Sequence, residues 1–212
     1  MHAALWMTAS PSTIAPTASV AEAAVAMSQR RVRRLPVVDR GRLVGIVTNL
    51  DVARAFPPDL NPFSAVVQPR PGDVAVRDIM SPMPITVTPS TPIDEVARLL
   101  AEHKIGAVPV VSAERLVGII TESDVFRAFL EITGVHESGV RITFDVQPGE
   151  DVLASVTALA ARHDARVLSV VGLDHDGRRF AVVRLSGPKL RELVEAVWSS
   201  GHRVLSVVGA SE

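Results

Sequence analysis

The segments "GIVTNLD" at 45–51 and "GIITESD" at 118–124 share one frame, Gly, two aliphatics, Thr, two variable residues and Asp, 73 positions apart. Sliding the chain by that offset aligns Met7 with Met80, Pro11 with Pro84, Thr13 with Thr86, Pro16 with Pro89 and Glu22 with Glu95. The match runs on without a gap: "RLVGI" at 42–46 falls on "RLVGI" at 115–119, and "RAF" at 54–56 on "RAF" at 127–129. Self-similarity at a fixed offset marks a duplicated structural unit.

Both copies read alike. A Pro-bounded extended piece ("STIAP", "PITVTP") precedes an apolar-periodic helix ("SVAEAAVAMSQR", "PIDEVARLLAEHK"). Two short β-rich runs follow ("LPVVD" and "LVGIVT"; "VPVV" and "LVGIIT"), and a second helix opens near the Thr. Copy one ends near Phe56, and the five prolines of "PPDLNPFSAVVQPRPGDVA" at 57–75 read as a linker.

After about Thr133 a different period takes over, because "RVLSVVG" at 166–172 recurs at 203–209. The pattern there predicts strand 140–146, helix 150–163, strand 166–173, strand 178–185, helix 188–200 and strand 203–208. "DHDG" at 174–177 reads as a hairpin turn in which Gly177 takes positive φ. Strand, helix, strand twice over is the ferredoxin-like βαββαβ order. The chain is thus expected to be a duplicated α/β pair followed by a small α+β domain: copy one at 1–60, linker at 61–75, copy two at 76–133 and the third domain at 139–212.

Composition excludes several functions. A chain of 212 residues, 47% hydrophobic, can bury a core. A formal charge of -1 gives no pull toward nucleic acid or anionic membrane. Without cysteine there is no thiolate nucleophile, Cys-ligated zinc or disulfide. No apolar run reaches the ~18 residues of a membrane span, and "MHAALWMTASPST" lacks signal-peptide character. A cytoplasmic soluble protein is expected. The six histidines, at 2, 103, 136, 163, 175 and 202, lack metal-ligand spacing, and neither a G-x-S-x-G elbow nor a Walker lysine loop occurs, so a non-enzyme is expected.

With these residues in view, residues 5 to about 133 resemble a tandem pair of CBS domains, carried by "LPVVD...GRLVGIVTNLD", "VPVV...ERLVGIITESD" and "MSPMPITVTPSTPIDEV". Residues 139–210 resemble an ACT domain, through element order and the "PG" at the first strand-to-helix turn. Two CBS modules followed by an ACT domain resemble the acetoin-utilization family.

Two readings of the Thr and Asp stand open. Thr121 closes a strand at a helix start, where free N–H groups and the dipole favour an anion. Asp124, one turn on, suits the paired hydroxyls of a ribose, and Ile119 suits one wall of a purine. The same Thr-x-x-Asp is equally a capping box, and the two readings compete for one carboxylate. The resemblance implies composite sites, one from Thr121, Asp124 and Ile119 with Val32 and Arg33, the other from Thr48, Asp51 and Ile46 with Ile105, Gly106 and Arg34. The arginines of "RRVRRLPVV" suit phosphate, so the Arg33 site is expected to take a phosphorylated nucleotide such as AMP, ADP or ATP, and the Gly106 site a less charged adenosyl ligand such as S-adenosylmethionine.

In the third domain the resemblance implies an amino-acid effector at Pro148 and Gly149, although "DVQPGEDVL" carries an extra residue on each side of Pro-Gly relative to the family pattern. It also implies a homodimer, and the open edge of a four-stranded sheet gives a physical motive. The leading expectation is a regulatory, allosteric ligand sensor with no nucleic-acid or membrane partner. The alternatives are a dimerisation scaffold without ligand and an acetoin-metabolism enzyme.

Overall fold

The computed structural model describes residues 1–55 and 74–209. Phe56 and all of the expected linker except Val74 and Ala75 lie outside the described residues. Two compact units emerge, Met1–Val125 and Phe126–Glu212.

The first unit opens with a 3-10 turn at Ala3–Leu5, then β1 (Thr8–Ala9), α1 (Val20–Arg30), β2 (Arg34–Asp39), β3 (Arg42–Thr48) and α2 (Asn49–Ala55). The second copy repeats it with a 3-10 turn at Val76–Asp78, β4 (Ser81–Pro82), α3 (Ile93–His103), β5 (Ala107–Ser112), β6 (Arg115–Thr121) and α4 (Glu122–Ile132), whose last residues belong to the second unit. Each strand, and both α1 and α3, recur at the sequence offset.

Helix α1 begins where Ser19 accepts from Glu22 N and the Glu22 carboxylate accepts from Ser19 N at 2.7 Å. That backbone bond first, then the Ser19 hydroxyl, holds the Glu22 carboxyl below its ordinary value. Val20, Ala23 and Met27 form its buried stripe, and α3 buries Ile93, Val96 and Leu100 at the same spacing. Burying each larger aliphatic contributes ~1.5–3 kcal/mol. Both helices stop on a left-handed residue, Arg31 (φ 53) and Lys104 (φ 52), where glycine would be cheaper.

The leading strands cross between copies. The sheets run β1-β6-β5 and β2-β3-β4, with Thr8 opposite Ile119, Ala9 opposite Gly118, Gly45 opposite Pro82 and Ile46 opposite Ser81. This exchange explains the invariant first letter of the repeated frame. A Cβ on Gly118 would overlap the Met7 sulfur, and one on Gly45 the Met80 sulfur.

The second unit contains β7 (Val140–Val146), α5 (Val152–Arg162), β8 (Arg166–His175), β9 (Arg178–Ser186), α6 (Leu190–Trp198) and β10 (Val204–Gly209). Its antiparallel sheet has the order β10-β7-β9-β8, the pairing that the βαββαβ succession predicts. Ile142, Phe144, Val156, Val183, Leu185, Leu193 and Val197 form its core. The sequence places a four-residue turn at 174–177, but β8 continues through His175, and Asp176 (φ 50) with Gly177 (φ 70) makes a two-residue turn. Positive φ at both positions matches the right-handed twist of the flanking strands. The helix expected from 150 starts at Val152, because Asp151 is its cap and accepts from Ala154 N at 2.9 Å.

Candidate functional site

Within the first unit, a cavity of about 320 Å³ lies where the second copy's strand-to-helix turn meets the first copy's arginine loop. Ile119 and Thr121 at the end of β6, with Glu122 and Ser123 at the start of α4, form one wall. Val32, Arg33 and Arg34 form another, joined by Arg31. The arginine loop is fixed by Asn49 N donating to Arg33 O at 2.9 Å, and its counterpart by Glu122 N donating to Gly106 O at 3.3 Å. Each loop is thus tied to its own copy's helix, which leaves the Arg33 side chain to face the other copy.

The predicted residues distribute unevenly. Thr121, Ile119, Val32 and Arg33 share the cavity wall, whereas Asp124, 3% exposed, is not on it. Asp124 Oδ2 accepts from Thr121 N at 2.8 Å and from Thr121 Oγ1 at 2.7 Å. Asp51 repeats this with Thr48 at 2.8 and 2.7 Å, and its own N–H donates to Thr48 Oγ1 at 3.3 Å. Both segments therefore cap their helices. Capping engages one carboxylate oxygen, and a carboxylate has lone pairs on two, so the cap and a ribose contact are compatible at Asp51.

Arg34 and Gly106, assigned from sequence to the second site, line this same cavity. A Cβ on Gly106 would overlap the Arg34 guanidinium, so the bare glycine lets that side chain cross between copies. Ile46, Thr48, Asp51 and Ile105 do not line it.

Thr8, Ser10, Pro11 and Ser12 complete the wall and were not anticipated. They arrive because β1 pairs with β6 and Ser10 N donates to Val117 O at 3.1 Å. The repeated Met and Gly letters held the signal, since Met7 seats on Gly118.

Chemically the cavity combines three arginines, Arg31, Arg33 and Arg34, and one acid, Glu122, with hydroxyls and a short apolar wall. Guanidinium suits bidentate phosphate recognition, the helix start of α4 favours negative charge, and the volume falls at the lower end of the ~300–1,000 Å³ of small-molecule sites. Among the described residues, no group of three or more His, Cys, Asp or Glu is placed to hold a metal. No helix among them is long and apolar enough to cross a membrane.

In the second unit, Pro148 and Gly149 sit in a turn closed by Glu150 N donating to Gln147 O at 3.0 Å, with Gly149 at φ 84. Both border a separate cavity of about 400 Å³.

Comparison with known proteins gives a family profile, the CBS domain, matching residues 3–58 and 76–131. The CBS domain-containing protein YhcV of Bacillus subtilis is 31% identical over 118 residues, 56% of this chain and 78% of that one. An inosine-5'-monophosphate dehydrogenase of Korarchaeum cryptofilum is 34% identical over 171 residues, 74% of this chain but 33% of the enzyme. Among solved structures, CBSX2 in complex with AMP, a protein of Arabidopsis thaliana, superposes with TM-score 0.53 at 32% identity, over 62% of this chain and 97% of that one. The CBS pair of MJ0100 in complex with 5'-methylthioadenosine and S-adenosyl-L-methionine gives 0.52 at 29%, over 65% and 98%. A Vibrio cholerae protein ascribed to acetoin utilization (AcuB) gives 0.53 at 28%, over 64% and 95%.

Proposed function

Because the chain belongs to the CBS-domain family, we propose that it is a non-catalytic regulatory sensor whose CBS pair binds an adenosine-containing ligand in the cavity between the two copies. The observation that carries this reading is the convergence of Arg31, Arg33 and Arg34 on the Thr121 turn beside Ile119. Guanidiniums take phosphate, the Thr and helix start take phosphate or ribose oxygen, and Ile119 packs against the base. AMP and ADP or ATP fit that charge better than S-adenosylmethionine, whose sulfonium adds a cation. The relatives with AMP and with S-adenosyl-L-methionine support an adenosyl ligand in this fold.

Residues 139–209 act in this reading as an ACT-type effector unit, with the Pro148–Gly149 turn at the mouth of its cavity, in a cytoplasmic homodimer of acetoin-utilization type. Val170, Leu205 and Val208, each more than 40% exposed on β8 and β10, supply apolar surface for pairing. Occupancy regulates only if the ligand binds two poses unequally.

A scaffold without ligand is the second reading, favoured by Asp124, whose carboxylate caps its helix and does not line the cavity. Isothermal titration with AMP, ADP, ATP and S-adenosylmethionine separates the two. The sensor reading expects AMP binding that Arg33→Ala weakens ~10-fold, the lower end of what a charge-assisted bond contributes because Arg33 is exposed. Absence of heat with every adenosyl compound overturns it and leaves the scaffold.

A further inference from the structure

The cavity of the second unit has a chemistry of its own. Asp145 at the end of β7 is buried, its side chain 4% exposed. Its Oδ2 accepts from Arg178 Nη2 at 2.6 Å and forms an ion pair with Arg203 Nη1 at 3.1 Å. Two guanidiniums are thus drawn onto a single carboxylate oxygen, and Arg179 also borders the cavity. Arg178 is further fixed 5.0 Å above the Phe180 ring. The other acid on the wall, Glu150, is engaged as an acceptor for Gln147 N at 2.9 Å. Among the described residues the Arg179 side chain pairs with Asp174 alone, at 3.6 Å with both side chains more than 70% exposed, a pairing worth little in water.

One carboxylate neutralises one guanidinium, and each guanidinium carries five N–H donors of which Asp145 takes few. With Asp145 and Glu150 set against Arg178, Arg179 and Arg203, the lining keeps a surplus of one positive charge and unspent donors. At its rim Gly149 and Gly177 hold φ of 84 and 70 with nothing within 4 Å of where a Cβ would stand, so backbone there is open to a small ligand. An α-amino acid would bring an ammonium group beside these arginines, where each acid already has one oxygen engaged. A ligand of oxyanions alone meets no such cost.

We infer that this cavity binds a small polyanion, a dicarboxylate or a phosphate-bearing acid without an ammonium group, through Arg178, Arg179 and Arg203. The inference rests on reading residues 139–209 as an effector unit, and it replaces the amino acid by an oxyanion as the ligand class. Arg179 is the discriminating residue because it stands outside the buried Asp145 cluster, whereas Arg203→Ala would unbalance Asp145 and destabilise the domain.

The full chain is titrated calorimetrically at low ionic strength with succinate, inorganic phosphate and L-glutamine, as wild type and as Arg179→Ala, with AMP run in parallel. Succinate or phosphate is expected to bind more tightly than glutamine, and to lose at least 5-fold in affinity in Arg179→Ala and with added salt, while melting temperature and AMP affinity hold. Which of the two binds more tightly tells carboxylate from phosphate. Neither binding, tighter binding of glutamine, or oxyanion binding indifferent to Arg179→Ala each overturns the inference. Failure of the AMP arm alone removes the nucleotide reading of the other unit and leaves this one standing.

Discussion

Replacing Asp124 by alanine tests the ligand contact that the sequence suggests against the cap that the structure shows, at a side chain held off the cavity wall. Asp124 Oδ2 holds the Thr121 amide at 2.8 Å and its hydroxyl at 2.7 Å, in a residue only 3% exposed. Truncation leaves a part-buried amide without its acceptor, which costs ~1–3 kcal/mol, and removal of a helix cap alone typically costs ~1 kcal/mol. A central expectation is ~2 kcal/mol. For a chain of this size each kcal/mol moves the melting temperature by ~2–4 °C, so Asp124→Ala should melt ~4–8 °C lower. Asp51→Ala should fall less, because Asp51 is more exposed and its amide loses solvation more cheaply. The assay is thermal unfolding with and without AMP. At ~100 times its dissociation constant, AMP adds ~2.7 kcal/mol to the wild type, and this increment should shrink in Asp124→Ala because Thr121, which lines the cavity, loses its anchor. An unchanged baseline melting temperature refutes the capping geometry, and an intact AMP increment refutes any ribose contact by Asp124.

Two further outcomes follow from the backbone. Gly118→Ala forces the Met7 sulfur out of its seat and should cost ~1–3 kcal/mol, the range of overpacked sites; Met7→Ala combined with Gly118→Ala should recover part of that in urea denaturation, and no recovery would exclude the contact as the cause. Arg31→Gly relieves a left-handed residue at the end of α1 and should stabilise the fold by up to ~1 kcal/mol while weakening AMP, readable as a higher melting temperature with a smaller nucleotide increment.

The duplication was legible because pattern and spacing act locally. Val20, Ala23 and Met27 define a helix stripe without help from distant residues, and β2, β3, β5 and β6 follow from short aliphatic runs bounded by turns. The pairing partner of Thr8–Ala9 was not legible, since a two-residue strand carries no register of its own and its choice of β6 depends on Met7 reaching Gly118. Ser10 and Ser12 were missed as wall residues for that reason. Arg34 was placed at the other site because sequence reports where a side chain is attached, while its length and the bare Gly106 decide where its charge arrives. The oxyanion cluster was hidden for a related reason: Asp145, Arg178 and Arg203 are far apart in sequence and meet through the β7-β9 and β7-β10 pairings.

The crossing of β1 onto β6 and of β4 onto β3 bears on how such a chain could arise. Were a lone copy translated, its own leading strand would have no sheet to join, and its last strand would keep an unpaired edge inviting another molecule. Two identical copies could satisfy each other only by trading leading strands, as in a domain-swapped dimer. The 73-residue repeat thus has the strand exchange of a swapped dimer within one polypeptide, where the two halves need not be identical. Arg33 opposite Gly106 is such a divergence: a symmetric ancestor would have offered the same loop twice, and this chain has concentrated its arginines on one side.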